Sequence, residues 1–275
     1  MDFDLRTPDS AYQFALNILG MNGEEFISDY LLECDRDYEV LWKKHYKQLR
    51  MIDASRIRIN AFHITGSLDG CQSIRKHGLQ NLQEILSENS VMKRALQEYG
   101  LFFNVAQHTM VFEGREYDID YTKYRSKFNL YGEDQHLKSI AYRLYYDYCV
   151  NGFMCNDDVF SYGTDIHKRP EFIADLVRMF PKLLKFDIEW RQASISYKID
   201  FFAYPDQLHR FNFDLDNYQD PPYENWDILN DNDKLIKWML SHAINRAYDE
   251  LTTTYLYVLN DISIPPEQIT NYTRI

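Results

Sequence analysis

The stretch RIRINAFHITG, residues 56–66, has the alternation of a β-strand that ends at a glycine. One face of this predicted strand carries Ile57, Ile59, Ala61, His63 and Thr65. All of these residues except the histidine are apolar or β-branched and suit a protein core. We therefore predict a core strand with an imidazole near its C-terminal end, just before the chain turns.

A short helical unit is predicted directly after this strand. Ser67 is a candidate N-cap, and Gly78 is placed to end the helix. A second short helix is predicted over residues 80–88, where apolar residues recur at helical spacing. The pattern is therefore a strand, a glycine turn, a short helix and a glycine stop.

The rest of the chain mixes helical and extended segments. Helical spacing predicts helices over most of residues 9–50 and over residues 138–149, 171–180 and 235–249, with Pro170 at the first position of the helix that carries Glu171. Strands are predicted at residues 195–204 and 251–260 and on both sides of a turn at Glu113–Gly114, and residues 152–165 are predicted to be a loop. The simplest architecture is one α+β domain at residues 56–275 with a helical N-terminal extension at residues 1–55.

The 275-residue chain is acidic, with a formal net charge of −12. This charge argues against a protein that coats nucleic acid, because such binding depends on neutralising phosphates. One local basic cluster with interleaved aromatic residues could still contact nucleic acid, and it consists of Lys43, Lys44, Lys47, Arg50, Arg56 and Arg58. The same residues also fit a solvated helix face followed by an exposed strand face.

Cysteine usage and hydropathy bear on the compartment. The four cysteines show no spacing typical of a zinc site, which favours a reduced intracellular protein. The N-terminus has no signal-peptide pattern, and no apolar run approaches the length needed to cross a bilayer. We therefore expect a cytoplasmic protein that does not enter a membrane.

Residues 211–233 are rich in acids and contain no Lys or Arg. They are predicted to form a surface loop or insertion, because their oxygen ligands do not fit the register of an EF-hand. The acids at 214–233 could assemble the site of a metal-dependent nuclease, but catalytic carboxylates are usually held on rigid elements. We therefore expect no metal site. The chain also lacks phosphate-binding glycine loops, a nucleophile elbow and an H-E-x-x-H pair.

Two sequence blocks together resemble the ADP-ribosyltransferase superfamily. The first is FHITG followed by a short helix and HGL, and the second is a late glutamate, a strand and IPPEQI. The similarity is to bacterial toxin and phage-defence transferases of the diphtheria-toxin-like His–Tyr–Glu type, including those that modify nucleic-acid bases. The positions that match the first block are His63, Thr65, Ile74 and Gly78–Leu79.

The resemblance implies an ADP-ribosyltransferase-like split β core with surrounding helices, which uses NAD as a substrate and needs no metal. His63 and Thr65 would bind NAD. One carboxylate would stabilise positive charge on the ribose or take a proton from the incoming nucleophile. Glu250, which precedes the strand before IPPEQI, resembles the catalytic glutamate of the family, and Glu171 in IHKRPEFI is the second candidate.

The tyrosines that would stack on nicotinamide are less clearly marked by the sequence. Tyr131 and Tyr142 are separated by ten residues, like the paired tyrosines of diphtheria-toxin-like transferases. The run RLYYDY at residues 143–148 and Tyr162 are alternatives.

The implied activity is transfer of ADP-ribose from NAD to a macromolecule by a bacterial toxin or anti-phage effector. A nucleic-acid target is expected over a protein target, and a neutralising antitoxin is a possible partner. The alternatives are a non-enzymatic protein-binding module, which would suit the acidic charge and the 22 tyrosines, and the metal-dependent nuclease.

Overall fold

The computed structural model describes residues 1–163 and 165–275. Its helices are α1 (Pro8–Leu19), α2 (Gly23–Phe26), α3 (Tyr38–Leu49), α4 (Gln72–His77), α5 (Leu82–Ser87), α6 (Val91–Glu98), α7 (Glu133–Tyr145), α8 (Glu171–Met179), α9 (Leu184–Ala193) and α10 (Asp231–Ala247). Its strands are β1 (Asp2–Asp4), β2 (Arg58–Ser67), β3 (Leu101–Asn104), β4 (Thr109–Phe112), β5 (Arg115–Asp118), β6 (Asn151–Asn156), β7 (Ile195–Ala203), β8 (Thr253–Tyr257) and β9 (Ile269–Arg274). The predicted α+β class is confirmed.

The described strands form a six-stranded and a three-stranded sheet. The order in the larger sheet is β8–β6–β2–β7–β9, and β1 pairs in parallel with the start of β2. β6 is antiparallel to both β2 and β8. The smaller sheet is the antiparallel meander β3–β4–β5. The strand that carries RIRINAFHITG therefore lies inside the larger sheet.

The chain divides into two compact units. The first comprises Met1–Phe62, Asn151–Asp157 and Phe201–Val258, and the second comprises His63–Val150, Asp158–Asp200 and Leu259–Ile275. The strands β2 and β7 each run from one unit into the other. The predicted N-terminal extension is largely helical, but it also carries β1 and belongs to the first unit.

The first unit is built around the long helix α10. The ring centroid of Phe3 lies 5.0 Å from that of Phe14 on α1 and 5.9 Å from that of Trp238 on α10. The acidic stretch at 211–233 is mostly irregular, as predicted, with short 3₁₀ turns at Arg210–Phe213 and Trp226–Ile228. Trp226 is nevertheless fully buried, so this stretch is anchored to the unit.

The second unit has its core between α5–α9 and the small sheet. Buried residues from these elements include Leu96, Leu101, Met110, Ile140 and Ile173. The turn between β4 and β5 is at Glu113–Gly114, as predicted, and both residues have positive φ (51° and 79°). Positive φ at both central residues is what a tight two-residue hairpin turn requires.

Three local predictions are wrong: the N-cap at Ser67, the position of Pro170 in its helix, and the loop at residues 152–156. Ser67 does not cap a helix, because α4 starts only at Gln72, and the Ser67 Oγ instead accepts the Cys71 N–H at 2.8 Å. Pro170 lies one position before the first residue of α8.

The stretch at 151–156, most of which was predicted as loop, is the strand β6. Its central residues are buried on both faces, which removes the alternation that identifies a half-exposed strand. The predicted loop at 152–165 also includes residue 164, which lies outside the described residues.

Candidate functional site

The end of β2 presents two polar side chains at a partly open position. Ile57, Ile59 and Ala61 are fully buried on one face of the strand, whereas His63 and Thr65 on the same face are only half-buried. Residues two apart on a strand point the same way and lie about 7 Å apart. The imidazole and the hydroxyl are therefore neighbours where the strand leaves the core.

A close backbone approach fixes a second segment beside this strand end. A Cβ added at Gly66 would lie far inside van der Waals contact with the Lys168 carbonyl oxygen. The same oxygen accepts a hydrogen bond from the Ser194 Oγ at 2.7 Å. The backbone at Lys168, three residues before Glu171, is thus held against β2 at Gly66, on the face opposite to the His63 and Thr65 side chains.

The HGL part of the first block and the IPP part of the second block meet in the second unit. Leu79 and Ile264 exchange both backbone hydrogen bonds, at 2.8 and 2.9 Å. Gly78 ends α4, as predicted, with φ of 82°, and a Cβ there would clash with the Ile264 carbonyl oxygen. The HGL stretch and the IPP stretch therefore form one backbone junction that requires glycine at position 78.

Glu171 is the first residue of α8 and belongs to a cluster of charges. Its Oε2 lies 2.8 Å from the Nη2 of Arg143 on α7. Arg143 also pairs with Asp147 and has its Nε 3.6 Å from the Oδ2 of Asp175. One guanidinium is therefore shared by three carboxylates, and the Glu171 side chain is still 31% exposed.

The electrostatics of this cluster are perturbed by burial. Burial raises the pKa of Asp147, with a further increase from the charge of Glu171, against the opposing effect of Arg143. Burial alone would lower the pKa of Arg143, but the surrounding carboxylates raise it overall. A shifted carboxyl pKa beside a partly exposed carboxylate is typical of functional sites, although structural ion-pair networks also produce it.

Tyrosine rings lie along α7 next to this cluster. The Tyr142 ring centroid is 5.0 Å from that of Tyr146 and 5.8 Å from that of Tyr121. Burial, followed by the charge of Asp147, raises the pKa of Tyr142. Tyr131 is 82% exposed in the loop before α7.

The loop at Tyr162–Gly163, an alternative source of a stacking ring, borders Glu171. A Cβ added at Gly163 would lie 3.6 Å from the Glu171 Oε1. Three of the predicted tyrosines therefore have links to the surroundings of Glu171. Tyr142 precedes Arg143, Tyr146 of the RLYYDY run precedes Asp147, and Tyr162 precedes Gly163.

Glu250 has different surroundings. It is exposed, and it follows Asp249, which has φ of 60° and lies just beyond the end of α10. Its N–H donates to the Asn245 carbonyl oxygen at 2.8 Å. Glu250 belongs to the first unit, whereas His63, Thr65, Glu171 and Tyr142 all belong to the second.

The predicted basic cluster is largely neutralised by acids of the first unit. Four of its members form ion pairs: Lys43 with Glu224 at 2.7 Å, Lys44 with Asp29 and Glu33, Arg56 with Asp53 at 3.7 Å, and Arg58 with Asp2 at 2.5 Å. Lys47 and Arg50 are exposed. Much of the positive charge that would attract phosphate is therefore already compensated.

The acidic stretch at 214–233 has carboxylates engaged in structural bonds. Arg210 contacts Asp216 at 2.8 Å and Asp231 at 2.6 Å, and the Asp233 carboxylate accepts the Tyr46 hydroxyl at 2.8 Å. Across residues 1–163 and 165–275, no group of three or more His, Cys, Asp or Glu side chains is arranged to hold a metal ion. The nuclease alternative therefore gains no support.

The sequence did not single out Arg143, Asp147 or Asp175 as functional candidates. The signal was present as two i,i+4 spacings, Arg143 to Asp147 and Glu171 to Asp175. Such spacings also occur on ordinary solvated helix faces, so they become informative only when the packing of α7 on α8 is known.

Comparisons with protein-family models, with curated proteins and with solved structures found no match for this chain. In the part of the chain that the structure describes, no helix combines the length and apolar character needed to cross a membrane. Function must therefore be inferred from the site itself.

Proposed function

We propose that this protein is an NAD-dependent mono-ADP-ribosyltransferase, acting in the cytoplasm as a bacterial toxin or anti-phage effector. The observation that carries the proposal is the backbone junction between Leu79 and Ile264. It joins the HGL stretch of the first block to the IPP stretch of the second, in the unit that also contains His63 and Thr65. A chance resemblance of two short blocks gives no reason for them to pair.

The strand end of β2 would bind NAD. The half-buried His63 imidazole and Thr65 hydroxyl would hydrogen-bond the ribose that carries nicotinamide. A flat nicotinamide ring is well suited to stacking on a tyrosine. We assign that role to Tyr142, with Tyr162 as the alternative, because both are linked to the surroundings of Glu171.

The reaction breaks the bond between the ribose C1′ and the nicotinamide nitrogen. Nicotinamide leaves with the bonding electron pair, which neutralises its ring, and positive charge develops on the ribose as in glycoside hydrolysis. A nucleophilic oxygen or nitrogen of the target then bonds to C1′ and gives up its proton. A fixed carboxylate near C1′ can stabilise the charge and accept that proton.

We assign this carboxylate to Glu171 in preference to Glu250. Glu171 lies three residues after Lys168, whose carbonyl group packs against Gly66, the chain neighbour of Thr65, on the other face of β2. Arg143 would hold the Glu171 carboxylate in one orientation. Arg143 is shared with Asp147 and Asp175, and Arg178 pairs with Asp175 at 2.7 Å, so two guanidinium groups face three carboxylates. The one uncompensated negative charge would favour a cationic transition state.

The proposal is tested by incubating the purified protein with NAD labelled in its adenylate group and with cell extract. We expect nicotinamide release and transfer of label to a macromolecule. Digestion of the labelled product with nuclease or protease then identifies the target class, and we expect nuclease sensitivity. Folded protein that leaves NAD intact would contradict the proposal.

Expression in a host cell gives an independent test against the non-enzymatic alternative. An active transferase should impair growth, and Glu171→Gln should restore it. A binding module should be tolerated equally well with or without the substitution. Equal growth of both strains, with both proteins accumulated to the same level, would favour the binding module.

A further inference from the structure

The loop before α7 exposes aromatic rings to an unusual degree. Phe128 is 84% exposed and Tyr131 is 82% exposed, the highest values among the described aromatic side chains. Two large rings exposed within four residues are a candidate contact surface when other features of the loop point to a ligand. We refer to residues 121–131, together with Lys138, as the Phe128 loop.

Cations are interleaved with these rings. The loop carries Lys123, Arg125 and Lys127, and Lys138 on α7 donates to the Lys127 carbonyl oxygen at 2.7 Å. The Nζ of Lys127 lies 5.2 Å from the Tyr124 ring centroid, and the Nζ of Lys138 lies 5.9 Å from that of Phe128. Tyr124 is buried, so the exposed ring with a cation at its face is that of Phe128, beside Lys127 in the chain.

Three of the four cations form no ion pair among the described residues, although Asp118, Glu133 and Asp134 lie near Tyr124. Lys123 pairs with Asp118. Among the described residues, no ion pair within 4.0 Å involves Arg125, Lys127 or Lys138. The basic cluster that begins on α3 differs, because four of its six cations are paired.

The Phe128 loop begins next to the candidate site. Tyr121 packs its ring against those of Tyr142 and Tyr146, with centroid distances of 5.8 and 5.7 Å. Tyr142 directly precedes Arg143, the partner of Glu171. A ligand bound to this loop would therefore lie close to the proposed catalytic cluster, which belongs to the same unit.

We propose that the Phe128 loop binds single-stranded nucleic acid and delivers it as the target of ADP-ribose transfer. This inference rests on the transferase function proposed above. Exposed aromatic faces stack on unpaired bases, and free cations beside them neutralise the phosphates. A duplex hides the base faces, so the rings favour a single strand. In a chain with net charge −12, a local basic surface is needed for such a target.

Binding of a fluorescent single-stranded oligonucleotide, followed by anisotropy over a range of salt concentrations, tests this inference. The first variant is Arg125→Glu, Lys127→Glu and Lys138→Glu combined, and the second is Phe128→Ala, with Phe128→Tyr as its conservative partner. The matched control is Lys47→Glu, Arg50→Glu and Arg56→Glu combined, which changes the net charge equally on exposed residues of the other cluster. Circular dichroism confirms that each variant is folded.

We expect the loop charge reversal to weaken binding at low salt by about ten-fold or more, and to lower the salt slope by about 2, since each lost single-strand phosphate contact removes about 0.7. Phe128→Ala should weaken binding by about ten-fold with the salt slope unchanged, and Phe128→Tyr should retain affinity. The control should stay within about two-fold of wild type.

Nicotinamide release from NAD without nucleic acid separates this inference from the transferase proposal. Wild-type protein that cleaves NAD but does not bind the oligonucleotide overturns the loop inference alone. Loss of binding in the control with retention in the loop variants also overturns it, as would a preference for duplex. Wild-type protein that fails to cleave NAD, with and without nucleic acid, overturns the transferase proposal, and with it the role of the loop as a target site.

Discussion

The start of α8 and the end of α10 each carry a glutamate that could serve an NAD site, but in contrasting surroundings. Glu171 at the start of α8 pairs with Arg143, borders Gly163 and is only partly exposed. Glu250 beyond the end of α10 is exposed, and its backbone N–H closes the helix end.

The contrast shows how helix polarity and packing together decide where a carboxylate can be placed. The N-terminus of a helix favours a negative charge, and Arg143 compensates part of the desolvation of Glu171. The C-terminus of a helix disfavours a negative charge, so Glu250 is best solvated. A carboxylate that must face a developing cation in a sheltered site is therefore better held at position 171.

Conservative replacement of the two glutamates tests the contrast and has the largest expected effect. Glu171→Gln should lower the rate of nicotinamide release by about 10³-fold, because it removes charge stabilisation and a proton acceptor while keeping the side-chain shape. Glu250→Gln should stay within about two-fold of wild type. Release is measured at saturating NAD, and NAD affinity is measured separately. Large loss in Glu250→Gln with retained activity in Glu171→Gln would reverse the assignment.

The contact between the Lys168 backbone and β2 can be disrupted by a substitution at Gly66. Gly66→Ala would drive a methyl group into the Lys168 carbonyl group, so the backbone must shift, at a cost of about 3 kcal/mol of unfolding free energy. The control is Gly100→Ala, where a Cβ meets no neighbour but φ is 77°, and a loss of about 1 kcal/mol is expected. Urea denaturation followed by circular dichroism measures both. Equal losses would indicate that the segment is not held against β2.

Local sequence patterns predicted the elements that line the candidate site. The alternation at 56–66, the stop at Gly78 and the apolar spacing of α8 are local properties, and each corresponds to an element of the fold. The strand β6 was missed because burial on both faces removes its alternation. The strand β2 is also buried on both faces at residues 59–62, but Arg58 and Asn60 give its sequence an alternation of polar and apolar residues.

The choice between the two glutamates could not be made in the same way. Sequence position made Glu250 the better match, because it precedes a strand and the IPPEQI turn. The pairing of Glu171 with Arg143 depends on α7 packing against α8, and the approach of Lys168 to Gly66 joins segments about a hundred residues apart. Such non-local contacts leave no periodic signal in the sequence.

A substitution of His63 tests whether the end of β2, which belongs to the same unit as Glu171, binds NAD. His63→Ala should weaken NAD binding by about 10- to 100-fold, which corresponds to about 1–3 kcal/mol for a hydrogen bond to a partly buried group. Calorimetric titration of NAD measures the affinity, with circular dichroism to confirm folding. NAD affinity equal to wild type would mean that His63 is a core residue with no ligand role.

The smallest expected effect is on the pH dependence of stability. It comes from His242 on α10, the helix that ends shortly before Glu250. Burial lowers the pKa of His242 to about 4, although its Nδ1 lies 3.0 Å from the Trp238 carbonyl oxygen. Between pH 6.5 and 4 the unfolded chain binds a proton at this residue and the folded protein does not. The free energy of unfolding therefore decreases as the pH is lowered through this window, and above pH 6.5 this loss is absent.

This pH dependence should be reduced in His242→Phe. The difference in unfolding free energy between pH 7 and pH 4.5 should be smaller than in wild type by about 2 kcal/mol. The matched control is His77→Gln, an exposed histidine at the end of α4, which should leave the difference unchanged. An unchanged pH dependence in His242→Phe would mean that other groups produce it.

Hydrogen–deuterium exchange of the wild-type protein with and without saturating NAD tests the location of the site most directly. Binding protects the amides that it orders. We predict protection in peptides that cover residues 60–80 and 165–176, with no change in peptides that cover residues 245–252. Protection at 245–252 without protection at 165–176 would contradict the assignment of Glu171, and exchange unchanged by NAD throughout the chain would contradict the NAD site itself.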